Sequence, residues 1–407
     1  MKKSSKVLRI LLTVLVLTAM LITSYGCGSQ TPASNETSKS GSQNTTAVEN
    51  KEPWTIGFNL ALTGSVAATD AYIKEGAEVA VKDINAAGGV LGRPLKIVAE
   101  DNQSNPTTTV TTARKLAENK DIVAILGPSF GTFVLPTIPI YQENKVPDVC
   151  FGSSLKIVEP INRYVFKIPM SDYKVAERLV TFLADERKLK KVAILHQDDT
   201  TGEIGRGEVD KRAKAHGMEV VATEKFAITA TDMRPQLMKI NTSGAEAIII
   251  WGSPAPGSVI AKNIKELGLK QVICGSHGIA GTDFLKVAGT AAEGWYFYAV
   301  AAVAYKNLPA DNQYKKLIDE FAPKLSTPFD AFHGNGHDAV YLIAEAIKNA
   351  GPNATRETVT DALEKIKDMP LLLSTYTFES HDGQTESSLI RFTVKTVDGK
   401  TEFWPDN

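Results

Sequence analysis

The sequence predicts an α/β protein of two doubly wound parallel-sheet lobes joined by a multi-crossover hinge. Three observations carry this prediction. From residue 54 onward, short aliphatic strands alternate with amphipathic helices, the βα repeat that builds a parallel sheet. The series halts at 164–168 and starts again after it. Two long helices without companion strands and a period-2 tail then follow, and these return the chain to both halves. The lobes read as 54–168 with 301–374, and 169–300 with 375–407.

Residues 56–60 form the first strand. Ile73, Ala77, Ala80, Val81 and Ile84 recur at helical spacing and mark a helix with one buried face, which Gly88-Gly89 terminates. Residues 95–100 read as a strand, 107–118 as a helix and 122–126 as a fully apolar strand. A helix over 132–142, despite its prolines, and a strand over 147–151 complete the first series. In the second series the strands fall at 191–196, 219–226, 247–251 and 271–274, with helices near 172–187, 203–216, 234–243 and 257–267. Residues 294–300 form a strand that leads back, and helices at 311–325 and 332–349 are expected to cover the first sheet. From Tyr376 the pattern changes to period-2 strands with turn signals at Asp382-Gly383 and Asp398-Gly399. Such a hinge opens a cleft at the carboxyl ends of parallel strands.

The two ends of the N-terminal region read differently from this body. Lys2, Lys3, Lys6 and Arg9 precede an apolar run at 10–22, a leader too short and too asymmetrically charged for a membrane anchor. Ser24-Tyr25-Gly26-Cys27 resembles a bacterial lipoprotein cleavage site, although Ser24 stands where a large aliphatic residue is usual. The expectation is a leader over 1–26 and lipid on Cys27, against an ordinary signal peptide with an incidental cysteine. Residues 28–53 are polar and nearly devoid of apolar side chains, a flexible tether. Together these place the body at the extracytoplasmic face of a bacterial cell membrane. The chain's formal charge is −1, and removing the four cations before Cys27, where no acid lies, leaves −5. A mildly acidic chain without a basic run is a poor nucleic-acid binder. Cys150 and Cys274 read as free thiols at strand ends.

Four ordered motifs carry a resemblance. Ala61-Leu62-Thr63-Gly64-Ser65 follows the first strand, and Ile84-Asn85-Ala86-Ala87-Gly88-Gly89-Val90-Leu91-Gly92-Arg93-Pro94 follows the first helix. Glu100-Asp101-Asn102 and Ile125-Leu126-Gly127-Pro128 come at the expected separations. The chain thereby resembles the type I periplasmic binding proteins, specifically the leucine/isoleucine/valine-binding family of ABC importers, from Trp54 to the C-terminus. The resemblance implies a monomeric, non-enzymatic binder without cofactor or metal. Its partners would be a small carboxylate ligand, a membrane permease with its ATPase, and the membrane itself through the lipid.

The resemblance also assigns the cleft. The loop Ser129-Phe130-Gly131-Thr132-Phe133 would hold a carboxylate through the Thr132 hydroxyl and the N–H groups of Gly131 to Phe133, the alternative being that Thr132 only caps its helix. Gly152 and Ser154, flanking Ser153, would take the ligand's amine through a carbonyl and a hydroxyl, unless this is an ordinary serine-rich turn. In the second lobe, aromatic positions of the family fall at Thr201 and Ser253, and another near the first helix falls at Thr69. The acid that pairs with an α-ammonium aligns with His277. A histidine does not compensate a buried ammonium as a carboxylate does. The expected ligand is therefore a carboxylate without a simple α-ammonium, aromatic or dicarboxylic, in a roomier pocket. Phe130, Phe133, Trp251 and Phe332 are candidates for its apolar walls.

Two constellations are set aside. His333 and His337 have metal-ligand spacing, but Gly334 and Gly336 weaken the helix and no third ligand lies near. His196-Gln197-Asp198-Asp199 sits just past a strand end, where polar residues are ordinary. No Gly-x-Ser-x-Gly elbow, phosphate loop or Cys–His pair occurs. The leading reading is a transport receptor. A sensory module reporting to a membrane receptor, and an exported hydrolase on the same scaffold, are the alternatives.

Overall fold

The computed structural model describes residues 52–406. The expected leader, the expected lipid site at Cys27 and the expected tether up to residue 51 lie outside the described residues.

The first series folds as its periodicity requires. Strand β1 (Trp54–Leu60) is buried at every position, as an interior strand covered on both faces must be. Helix α1 (Ala67–Ala86) buries Ile73, Ala77 and Ala80, and left-handed Gly88 and Gly89 follow its end. Strand β2 (Leu95–Asp101) leads to α2 (Pro106–Glu118), where Asn105 accepts from the Thr107 and Thr108 N–H groups and Pro106 occupies the first turn. Strand β3 (Ile122–Ser129) runs into α3 (Phe130–Val134). The single helix expected over 132–142 is broken: a 3-10 turn, Leu135–Thr137, separates α3 from α4 (Ile138–Glu143). Pro136 and Pro139 lack the N–H groups that a continuous helix needs. Strands β4 (Asp148–Phe151) and β5 (Val165–Lys167) complete a parallel sheet of order β2-β1-β3-β4-β5.

The second series repeats that winding. It contains α5 (Asp172–Thr181), β6 (Lys191–Gln197), α6 (Thr200–Ala215), β7 (Glu219–Phe226), α7 (Arg234–Thr242), β8 (Ala247–Trp251), α8 (Pro254–Leu267), β9 (Val272–Gly275), α9 (Thr282–Ala288) and β10 (Tyr296–Val300). The helix expected to 187 changes to a π-helical turn at Phe182–Glu186, and α9 is an element the sequence pattern did not disclose. The parallel strands lie in the order β7-β6-β8-β9-β10, so both lobes share one topology.

Next comes the return. Helix α10 (Gln313–Phe321) buries Tyr314, Ile318 and Phe321 in a satellite core with Ala301, Leu372 and Leu373 instead of covering the first sheet as expected. Helix α11 (Ala331–Ala350) does cover it, crossing α1 in the core that contains Phe58, Leu126 and Phe166. Each such fully buried side chain contributes about 2 kcal/mol relative to exposure. Helix α12 (Arg356–Glu364), capped by Thr355, is a second element absent from the sequence reading. A short ribbon, β11 (Met369–Pro370) and β12 (Thr375–Tyr376), follows. Tyr376 and Phe378 stay in the first core, so the chain crosses back beyond the boundary expected at 374. Strands β13 (Leu389–Val397) and β14 (Lys400–Pro405) then extend the second sheet antiparallel to β10. Asp398 and Gly399, at φ +50° and +75°, make the expected hairpin turn.

Asp382-Gly383, by contrast, is not a hairpin turn. Its residues bridge β5, and Asp382 Oδ1 lies 2.5 Å from the buried Lys167 Nζ while its Oδ2 accepts from Ser171 Oγ at 2.6 Å. Burial opposes the Asp382 charge, yet Lys167, Lys174 and these bonds hold its carboxyl below the usual range. This cluster ties the first chain crossing to the third.

Candidate functional site

The carboxyl ends of both sheets converge on one cavity of about 820 Å³ of empty space, its opening to solvent included. The first lobe contributes Ile73 of α1, Ser129 and Phe130 at the β3–α3 junction, Phe151 of β4, and Phe332 and Asn335 of α11. The second contributes Asp172 of α5, Thr201 of α6, Trp251 of β8, and Ser276 and His277 after β9. Met170 and Gln384, from the first and third crossings, close the hinge side. Topology explains the location: in both lobes the strand order reverses between the first and third strands, which leaves a crevice at their carboxyl ends.

Of the twelve residues expected in the site, Phe130, Ser153, Thr201, His277 and Phe332 line this cavity. Trp251, expected as an apolar wall, lines it too. Thr132 faces the opposite lobe directly. Its Oγ1 stands 3.1 Å from Thr201 Oγ1, and each residue's N–H donates to the other's hydroxyl, at 3.2 and 3.3 Å. Gly131 lies beneath the same junction, where an added Cβ would stand 3.5 Å from Thr201 Oγ1. Phe133 packs with Ala61 and Val66 in a small core. Thr69 is buried on α1. A Cβ at Gly152 would stand 2.5 Å from Ile157, and Ser154 Oγ accepts from the Lys156 N–H at 3.2 Å. Ser253 Oγ donates to Gln197 Oε1 at 2.8 Å. These last five are not among the residues that line the cavity.

The lobes touch around the cavity. Besides the Thr132–Thr201 pair, Tyr72 Oη on α1 donates to Asp283 Oδ1 on α9 at 2.9 Å, and the Thr282 N–H donates to Asp330 Oδ2 at 2.5 Å. Phe130 holds a left-handed φ of +58°, which a bulky residue adopts only where its surroundings impose it. That turn sends β3 into α3 within one residue and presents Ser129 to the cavity.

Sequence reasoning missed the acid. The cleft was expected to lack a carboxylate opposite the ligand's amine, because His277 occupies the aligned position. Asp172 places a buried carboxyl group on the cavity wall from a different element. Burial pushes its carboxyl up to about 7, partly offset by the Ser153 bond and by Lys167. Burial also lowers His277 to about 4, with Lys167 adding to the effect. Below the floor, burial raises Asp70 to about 7, while it accepts from Ser129 Oγ at 2.6 Å and from the Ala61 N–H at 2.8 Å. An acid opening a helix reads in sequence as a capping residue, and no motif marks the fold of the hinge that carries Asp172 inward.

The arrangement suits binding. Ser153 Oγ donates to Asp172 Oδ1 at 2.8 Å. His333 is committed to Glu75 Oε2 at 3.1 Å and to the Asp330 N–H at 2.9 Å, and His337 to Asp338 at 2.8 Å. These two histidines are packing and capping residues of α11. Cys150 and Cys274 are free and buried. Among the described residues no helix is long and apolar enough to cross a membrane.

Comparison with known proteins accords with this geometry. A family model described as periplasmic binding protein matches residues 53–400. The Leu/Ile/Val-binding protein homolog 3 of Brucella melitensis is 28% identical over 352 residues, covering 85% of this chain and 92% of the relative. The leucine-, isoleucine-, valine-, threonine-, and alanine-binding protein of Pseudomonas aeruginosa is 27% identical over 312 residues, covering 76% and 82%. An extracellular ligand-binding receptor from Rhodopseudomonas palustris HaA2 superposes with a TM-score of 0.78 at 26% identity, covering 86% of this chain and 99% of that one. A type 1 periplasmic binding protein from Bordetella pertussis, at 24% identity and a TM-score of 0.78, shares the fold over 87% of this chain and all of that one. The chain belongs to the periplasmic binding protein family and is a solute-binding protein, not an enzyme.

Proposed function

We propose that this periplasmic binding protein is the extracytoplasmic component of an ABC importer, carrying a small, carboxylate-bearing, amino-acid-like solute between its lobes. One observation carries the reading. A single cavity lies at the carboxyl ends of both sheets, with apolar walls from Ile73, Phe151, Trp251 and Phe332 and a few convergent polar groups. Sites for small organic ligands are built this way. The names of the relatives, which refer to leucine, isoleucine and valine, support the solute class.

The solute's carboxylate faces the β3–α3 turn, where Ser129 lines the cavity and the first N–H groups of α3 lack intrahelical partners. Its apolar part lies against Trp251 and Phe332. Differential affinity for the closed form drives closure, and the Thr132–Thr201 pair joins the two lobes beside the cavity. The closed lobes then dock on a membrane permease, near which lipid on Cys27 would retain the protein.

A thermal-shift screen of the purified protein tests this. The panel contains the twenty proteinogenic amino acids, benzoate and succinate. At a ligand concentration of about 100 Kd, mass action adds about 2.7 kcal/mol of stability. At least one amino acid is expected to raise the melting temperature. A response to benzoate or succinate alone, or to nothing in the panel, would refute the solute class.

A further inference from the structure

A second cavity lies behind the second chain crossing, with about 1040 Å³ of empty space, its opening to solvent included. Helix α9 and strand β14 of the second lobe form one side of it. The 3-10 stretch Ala301–Asn307, which follows β10, forms the back, and Phe329 to Ala331, at the start of α11, form the other side. Ala280, Val303 and Ala331 line both this cavity and the interlobe one. The partition between the two is therefore one side chain thick, and both lobes contribute to it. One hydrogen bond closes it, from the Thr282 N–H to Asp330 Oδ2 at 2.5 Å.

The walls carry a chemical bias. Leu285, Val303, Phe329 and Phe403 present apolar surface, and four charged residues share the lining. The two acids among them are occupied. Asp330 is 4% exposed and accepts from the N–H groups of Thr282 and Phe332, while Glu402 Oε2 accepts from Asn307 Nδ2 at 3.4 Å. Lys286 and Lys306 are exposed, and neither takes part in an ion pair among the described residues. Two uncommitted cations beside apolar walls complement an amphiphile with an anionic end. Its tail removes apolar wall from water, and its head faces the lysines.

We infer that this cavity is a second binding site, for a small apolar anion such as a medium-chain carboxylate, and that its occupancy tightens the hold on the solute. The occupant touches walls from both lobes, so it favours the arrangement in which those walls stand this close. The Thr282–Asp330 bond and the enclosed interlobe cavity belong to that same arrangement. Each ligand then strengthens the other by an equal factor. Such a site goes beyond carriage of the solute and makes it responsive to a second molecule.

The test is calorimetric titration of the purified protein with octanoate, with neutral 1-octanol and with octylammonium. Octanoate should bind roughly tenfold more tightly than octanol, and octylammonium more weakly than either. The double variant Lys286→Gln, Lys306→Gln alters only exposed side chains, and should bring octanoate down to the level of octanol. Phe332→Ala, on the wall of the interlobe cavity, should leave octanoate binding in place. With octanoate saturating, the amino acid that gives the largest thermal shift should bind about fivefold more tightly or better.

Absence of octanoate binding, or binding that the double variant leaves unchanged, would overturn the inference. So would octanoate binding that is abolished by Phe332→Ala or by saturating amino acid, which would put the probe in the interlobe cavity. Binding that depends on the two lysines but leaves the solute's affinity unaltered would overturn the coupling. If no amino acid binds, the importer reading fails, and the octanoate titrations of the unaltered and variant proteins still decide whether the second site exists.

Discussion

Gly336 stands where α11 crosses α1, and its replacement by alanine links the fold to the site. A Cβ there would lie 1.9 Å from the Ile73 carbonyl oxygen and 2.8 Å from the Ala77 nitrogen. Gly76 makes the reciprocal approach, its Cβ position 1.9 Å from the His333 carbonyl oxygen. Ordinary contact between such atoms is about 3.5 Å, so alanine must part the helices locally by about 1.5 Å. Both obstructions are backbone, and no rotamer change relieves them. Overpacking a close-packed interior costs about 1–3 kcal/mol, and Gly336→Ala belongs at the top of that range. Since α1 carries Ile73 and α11 carries Phe332 and Asn335 to the cavity, the same displacement should weaken ligand binding. Gly207→Ala in α6 is the control, because nothing lies within 4 Å of its Cβ position. It should stabilise by about 0.5–1 kcal/mol through helix propensity. Urea unfolding followed by far-ultraviolet circular dichroism measures both. If Gly336→Ala is within about 0.5 kcal/mol of the unaltered protein, the packing argument is wrong.

Two further outcomes follow from buried groups. Asp148 on β4 has both carboxyl oxygens buried without partners, and burial raises its pKa well above the ordinary value. The folded state keeps its proton while the unfolded chain loses it above about pH 4, so this group lowers stability by about 1.4 kcal/mol per pH unit as pH rises toward the folded-state value. Asp148→Asn removes that slope, and urea midpoints at pH 5 and 8 should show the variant gaining on the unaltered protein at the higher pH; a constant gap would contradict this. For the facing threonines, a double-mutant cycle of Thr132→Val and Thr201→Val, read as ligand affinity, should yield a coupling of about 1 kcal/mol. Zero coupling would mean that their contact contributes nothing to closure.

The legible part of the fold was whatever rests on local periodicity. Ile73, Ala77 and Ala80 disclosed α1, and the apolar run before Gly127 disclosed β3, because burial of one face or both leaves a direct trace in residue order. The elements missed, α9 and α12, are short, and their stability comes from the surfaces they cover more than from their own pattern. Asp382-Gly383 carried a turn signal that the hinge used otherwise: Asp382 is held by Lys167, a partner 215 residues away, which no local pattern reveals. The same distinction divides the site. Phe130, Ser153, Thr201 and His277 were reached through the family resemblance, which aligns loops at strand ends and helix starts, and Phe332 as a candidate apolar wall; all five line the cavity. Asp172 was missed because its place in the cavity depends on how three crossings pack together.

Entry of the solute into the interlobe cavity is reported by Trp251 on its wall. The purified protein is titrated with the amino acid giving the largest thermal shift, and tryptophan fluorescence is recorded for Trp251→Phe and for Trp404→Phe, which alters an edge strand away from the cavity. A spectral change that is lost in Trp251→Phe and kept in Trp404→Phe is predicted. A change that survives in Trp251→Phe undiminished and disappears in Trp404→Phe would contradict the account.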